Sequence, residues 1–413
     1  MPLEYPTFTI FSGISGMNKN KFIQNLINKT GIENQVLNLN FEDELLSEER
    51  QDNLPADIVS FLDIINQDTK LKLIETNFSW IAQKIEKRDP SVKHIFLNMH
   101  LSYYKSSEFF PPFIPHFFLQ LFTKIPHSNI KIINLIDDVF SIWKKISDRE
   151  ESGFLNTSLR LREILSWRSL ENLRSFALKT YLSSREEGGK VTNYLVSVRH
   201  PVSTFQNLIF NEKPPRTYLS FPISNTRKNA EDISEINEFR KIFHEIGAQT
   251  DSVIFDPVAI DELALETAMN DPEQAEKSII TLEKKHRWNL DLPNLLVDEP
   301  NWPINIPRHE IEEVSKDIRN QIRSRDFMLV DSSHFLAVHR PIFKLIPSKG
   351  VEAEIKHANE YGKKVIVYHP KIDQKDGNPT THPFGEQVSP FDVKEKFVEY
   401  LQMLIKQKKE RDK

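Results

Sequence analysis

The chain has 413 residues, 39% hydrophobic and 27% charged, which is ordinary for a soluble globular protein and long enough for two domains with full cores. Its net charge of −5 leaves no broad basic surface, so duplex nucleic-acid binding is disfavoured as the main task and small substrates fit better. With no cysteine, no apolar run long enough to span a bilayer and no signal-peptide pattern, disulfides, thiolate chemistry and membrane partners are excluded and a cytoplasmic location is expected.

Thr7–Phe11 is a short apolar β-type run that ends in Ser12-Gly13-Ile14-Ser15-Gly16-Met17-Asn18-Lys19-Asn20, and Phe22, Ile23, Leu26 and Ile27 follow at helical spacing. In that order of strand, glycine loop and helix, backbone N–H groups can cradle phosphate at a helix N-terminus. Gly13, Ser15, Gly16, Asn18, Lys19 and Asn20 are therefore the candidate nucleotide-binding residues, for ATP or another purine nucleotide, with Lys19 as the mobile cation. Compared with the Walker pattern, Asn18 replaces the second glycine and Asn20 replaces the hydroxyl that binds Mg²⁺. Asparagine tolerates a left-handed backbone, so the loop shape is expected to survive, but losing the hydroxyl weakens the case for Mg²⁺ and for phosphoryl transfer.

Gln35–Asp43 reads as a second strand, and helical patterns occupy the region around 56–89. His94–His100 and Ile130–Leu135 are the next strands, and a helix runs through Ile142-Trp143. The helix Ser158–Leu182 carries Arg160, Arg162, Arg168 and Arg174, read as a solvated face, and Tyr194–Arg199 closes the sheet as a fifth strand. Such alternation argues for a parallel α/β sheet. The segments NLNFEDEL, NMHLSYYKSSEFFPPF and NLIDDVFSIWKKISDRE fall in order and spacing so that about residues 7–200 resemble archaeal-type adenylate kinase. That resemblance implies a P-loop nucleotide-kinase-like domain over 1–212. Asn98-Met99-His100 departs from the family's Asp-Thr-His, and Lys144 and Lys145 stand where it carries arginine; both departures count against kinase turnover.

Asn211–Pro215 reads as a linker into a second domain, 213–413, which opens with strand Thr217–Ser224, a helix bearing Ile233, Ile236, Phe239 and Ile242, and strand Ser252–Pro257. Residues 262–315 form a helical insertion, with a lid, an interface and a structural cap all open as its role. A helix over 311–324 precedes Arg325–Asp331, and Phe335–Arg340 is the next strand. After Ser348, residues Val351, Ile355 and Ala358 form an apolar helical stripe on which Glu354 lies, so its carboxylate projects toward the packed side. Acidic residues near a helix start also stabilise the dipole, but an inward ionisable group is uncommon without a partner or a task.

The block Gly350-x-x-x-Glu354-Ile355-x-x-Ala358, followed by Gly362-Lys363-Lys364-Val365-Ile366, resembles the nucleoside 2-deoxyribosyltransferase family. Tyr218-Leu219-x-x-Pro222 and Phe255-Asp256-Pro257 fit the same resemblance. It implies that Glu354 is the nucleophile, that Asp326 handles the leaving base, and that Tyr218 orients the nucleophile or the sugar. Pro222, Asp256, Ser348 and Gly350 would then line the substrate pocket. His334 and Ser348 stand where members carry aspartate, and His334 and His339 are weaker candidates.

The expectation is thus an α/β protein of two three-layer domains with mainly parallel sheets, P-loop kinase-like and then deoxyribosyltransferase-like of Rossmann type. Its function would be cleavage or base exchange at the N-glycosidic bond of a small-molecule nucleoside or nucleotide. The alternatives are a nucleotide-binding sensor without turnover, or a nucleotide kinase fused to a salvage domain. Homo-oligomer formation enters only by analogy with related glycosyl-transfer domains.

Overall fold

The computed structural model describes residues 6–47, 58, 61, 66–105, 108–110, 115–124, 129–151, 159–185, 190–227, 229–288, 295–373 and 388–412. Along the chain the first elements are β1 (Thr7–Ser12), α1 (Lys19–Thr30), β2 (Val36–Asn40), α2 (Phe41–Leu45), α3 (Gln67–Glu86) and β3 (His94–Asn98). A hairpin β4 (Tyr103–Lys105) and β5 (Glu108–Phe110) follows, then α4 (Pro115–Lys124), β6 (Asn129–Ile136), α5 (Val139–Glu151), α6 (Leu161–Ser183) and β7 (Lys190–Ser197). The chain continues with α7 (Val202–Phe210), β8 (Arg216–Ser220), α8 (Ile223–Thr226), α9 (Ala230–Thr250), β9 (Val253–Phe255), α10 (Leu263–Met269), β10 (Ile279–Leu282), β11 (Ile304–Pro307) and α11 (Arg308–Ser332). It ends with β12 (Phe335–His339), β13 (Ile342–Phe343), β14 (Ile346–Pro347), α12 (Lys349–Glu360), β15 (Lys364–Tyr368), β16 (Val388–Phe391) and α13 (Lys394–Asp412).

Two compact units result, one of residues 1–198 with 297–314 and one of 199–296 with 315–413. Each holds a five-stranded parallel sheet flanked by helices, as expected of two α/β domains. Residues 199–212, which the sequence reading placed in the first domain, lie in the second unit, and 297–314 return to the first.

The first sheet has the order β2-β3-β1-β6-β7, with β1 hydrogen-bonded on both sides in parallel register, Phe8 opposite Ile95 and Ile130. Near-continuous apolar runs suit strands covered on both faces, and Phe8, Ile10, Ile95, Leu97, Ile130 and Ile132 are fully buried. β2 stops at Asn40, earlier than its sequence suggests, because the Asn40 side chain accepts from Glu42 N at 3.0 Å and caps a short helix instead. The second sheet has the order β16-β15-β12-β8-β9, so the strand order reverses around β8, the position at which open α/β sheets present a crevice at their carboxyl ends. β8 likewise ends at Ser220, and Ile223–Thr226 turns helical rather than extending the strand. A core of Leu219, Ile236, Phe239, Phe243, Ala337, Ile366, Phe397, Leu401 and Ile405 joins this sheet to α9 and α13. Among the described residues, no helix is long and apolar enough to cross a membrane.

Candidate functional site

In the second unit, Tyr218 and Ser220 lie two apart on β8 and so project from one face of the strand. Helix α12 packs on β12 and β15 through Val351, Ile355 and Ala358, which brings its second turn over β8. The Tyr218 hydroxyl donates to Glu354 Oε1 at 3.0 Å, and the Ser220 hydroxyl donates to Oε2. Both oxygens of one carboxylate are thereby held by strand hydroxyls, with little rotational freedom left to the side chain.

Asp326 comes from α11 and is buried, its Oδ1 accepting from Arg325 Nε at 3.1 Å. Arg325 Nη1 lies 3.9 Å from Glu262 Oε2, and Nη2 donates to the Pro257 carbonyl at 3.4 Å. The cluster therefore places one guanidinium among three carboxylates. Burial and the Asp326 charge push the Glu354 carboxyl up to about 8, against the opposing pull of the two hydroxyls and Arg325. Asp326 is raised as well, by burial, although Arg325 holds it down. Burial and the same two carboxylates push the Tyr218 phenol well above its usual value, so it remains a protonated donor. Burial and mutual repulsion thus keep the two carboxyls from ionising together, and an acid and a base can be drawn from such a pair.

The remaining residues expected in this pocket lie elsewhere or at its margin. Asp256 is fully buried, its Oδ2 accepting from Arg240 Nε at 2.8 Å and His244 Nε2 at 3.1 Å, and its Oδ1 from Val258 N at 3.1 Å. Burial opposes its ionisation, but Arg240 and the two histidines His244 and His200 hold it well below the usual carboxylate range. Pro222 is buried at the start of α8, and Ser348 precedes α12, the helix that carries Glu354. Gly350 is exposed, and a Cβ there would meet nothing within 4 Å. His334 packs against Arg216, whose backbone N and Nη2 lie 3.1 and 3.0 Å from its ring nitrogens, and burial with that cation drives it down to about 3. His339 is buried against Phe239 and bonded to Glu235 at 3.1 Å.

In the first unit, the loop after β1 has the left-handed backbone expected of it, with Gly16 at φ 87° and Asn18 at φ 53°. Gly13, at φ 141°, is required sterically, since a Cβ would stand 2.6 Å from the Leu135 carbonyl oxygen. Asn18 leads into α1 without capping it through its side chain, and α1 has no acidic residue in its first turn. The Lys19 ammonium donates to the Gly13 carbonyl at 2.7 Å and meets His100 Nε2 at 2.7 Å; Ser15 Oγ lies 3.3 Å from that same nitrogen. An ammonium has no lone pair, so His100 Nε2 is the acceptor and its Nδ1–H donates to Glu42 Oε1 at 2.5 Å. Tyr103 adds a bond to Glu42 Oε1 at 2.8 Å, and burial notwithstanding, His100 and Lys19 hold Glu42 down to about 2. Glu171, from α6, ties the loop to the end of β3 by accepting from Gly13 N, Leu101 N and Ser102 Oγ. Asn20 Oδ1 accepts from Asn98 and Asn40. Lys144 pairs with Asp148, and Lys145 lies 3.3 Å from Asp137.

Sequence reasoning gave no role to Ser220, Arg325 and Glu262 in one unit, or to Glu42, Tyr103 and Glu171 in the other. Ser220 had a signal, its strand period with Tyr218, and Arg325 had one in being the neighbour of Asp326, whereas Glu262 and Glu171 are joined to their sites only by contacts distant in sequence. No protein-family model matches the chain, and no curated protein sequence matches it.

Proposed function

We propose that this chain acts on nucleosides or nucleotides in the cytoplasm, the second unit cleaving or exchanging an N-glycosidic bond through Glu354 while the first binds a purine nucleotide. The observation that supports this reading is a buried carboxyl pair, Glu354 with Asp326, whose first member is gripped by Tyr218 and Ser220. The pair carries one proton. Positive charge developing on the sugar favours ionised Glu354 and leaves the proton on Asp326. Glu354 then attacks the anomeric carbon as the bond to the base breaks, and Asp326 passes its proton to the leaving base. Water or a second base resolves the glycosyl ester with net retention.

Incubation with a 2-fluoro-sugar nucleoside analogue is expected to leave a mass adduct on a peptide containing Glu354. Glu354→Gln should lose about a thousandfold or more in release of free base, whereas substitution of Glu352 on the same helix should cost little. Cleavage by Glu354→Ala at the unaltered rate would end the nucleophile assignment. A second reading, nucleotide binding without turnover, is favoured by the amides at Asn20 and Asn98 in place of metal-binding groups. Under it, a panel of nucleosides, nucleotides and NAD yields no free base although nucleotide still binds.

A further inference from the structure

We infer that the first unit holds the phosphates of its nucleotide without a divalent cation. The inference rests on the nucleotide-binding reading of the Gly13–Lys19 loop. Loops of this kind that transfer phosphoryl groups bind Mg²⁺ through a hydroxyl that follows the lysine and a carboxylate on a strand beside the loop. Here the first position is Asn20, and Asn98 ends β3, the strand next to β1. The register sets Asn98 opposite both Phe11 of β1 and Asn40 of β2, so three strand and helix ends converge on one point.

At that point three amides bond to one another, with the exposed Asp43 carboxylate hydrogen-bonded to Asn40 at the edge of the group. Asn20 Oδ1 accepts from Asn98 Nδ2 and from Asn40 Nδ2, which uses both lone pairs of the oxygen a cation would need. A hard dication seeks anionic oxygens, and three amides supply none. Asn98 is buried, with its Oδ1 receiving no hydrogen bond, so an aspartate there would be an uncompensated buried charge. The carboxylate that follows β2, Glu42, is already bound by His100 and Tyr103. Those at the end of β6 are also engaged, Asp137 with Lys145 and Asp138 with Ser141. Neutralisation of phosphate falls instead to Lys19, which would exchange its bonds to Gly13 O and His100 for phosphate oxygens. Such a site takes the metal-free form of a nucleotide.

Calorimetric titration of the full chain with ADP, in Mg²⁺ and again in excess EDTA, tests this. The two dissociation constants are expected to agree within about threefold, with Lys19→Ala weakening binding at least about tenfold in both buffers. Weakening by about tenfold or more on chelation overturns the inference while leaving the nucleotide reading intact. Absence of binding in both buffers overturns the nucleotide reading, and the inference falls with it. The paired change Asn20→Ser with Asn98→Asp should make affinity Mg²⁺-dependent; a folded double variant that binds equally in both buffers refutes the role given to the amides. If that variant does not fold, the comparison on the unaltered chain still decides.

Discussion

Glu354 and Glu42 are both carboxyls set beside buried donors, and they are driven in opposite directions. Glu42 faces His100 and Lys19 and stays ionised, whereas Glu354 faces Asp326 and keeps its proton. The consequence for stability has a definite sign. Between 4.5, its ordinary value, and about 8, the folded chain holds a proton on Glu354 that the unfolded chain has lost. Stability contributed there is full below that window and is lost as pH rises through it. Glu354→Gln should therefore flatten the decline in melting temperature across this interval. Equal slopes in thermal denaturation of the two proteins would show that Glu354 is not the group that titrates.

At the scale of elements, two glycines that look equivalent in sequence have different tasks. Gly13 terminates β1 at φ 141° and lies against the Leu135 carbonyl, so Gly13→Ala forces both a strained backbone and a clash, at a cost on the order of 3 kcal/mol. Gly350 sits in the first turn of α12 with open space where a Cβ would be, and alanine there should raise helix stability by up to about 1 kcal/mol. Denaturant melts separate the two, and a destabilising Gly350→Ala would contradict the helical geometry assigned to it. Activity lost in a stable Gly350→Ala would then report on substrate contact rather than on folding. Helix α13 shows how a strong element escapes a motif-led reading. Its Phe397, Leu401 and Ile405 recur at helical spacing and are fully buried, yet the helix carries no candidate chemistry.

At the scale of the whole molecule, the first unit is not contiguous. Residues 297–314 belong to it, with Trp302 packed 6.0 Å from Phe140, Glu310 accepting from Leu161 N at 3.0 Å, and Glu313 bonded to Arg162 at 3.1 Å. A fragment ending at residue 212 lacks all three contacts. It should melt below the first unit of the intact chain and bind a hydrophobic dye over Phe140, because an aromatic partner and a helix-start cap are lost together. A fragment whose circular-dichroism melt matches that of the intact chain would show that the returning segment adds nothing.

The sequence by itself determined the α/β class, the strand–loop–helix at Gly13–Lys19 and the inward carboxylate of Glu354. Each of these is written in local periodicity: the alternation of elements, helical spacing about Glu354, and the left-handed tolerance of glycine and asparagine. The pairing of Glu354 with Tyr218, by contrast, was implied only by the family resemblance and is made by tertiary structure. Tertiary structure alone decided that Asp256 is locked by Arg240 and His244, that Arg325 and Glu262 complete the charge of the Asp326 group, and that Asn20, Asn40 and Asn98 meet. It also decided that 297–314 return to the first unit. The reason is physical. Periodicity tells which way a side chain faces, but the sign and size of its electrostatic environment depend on groups brought close by sheet order, and strand order is not encoded in any one segment.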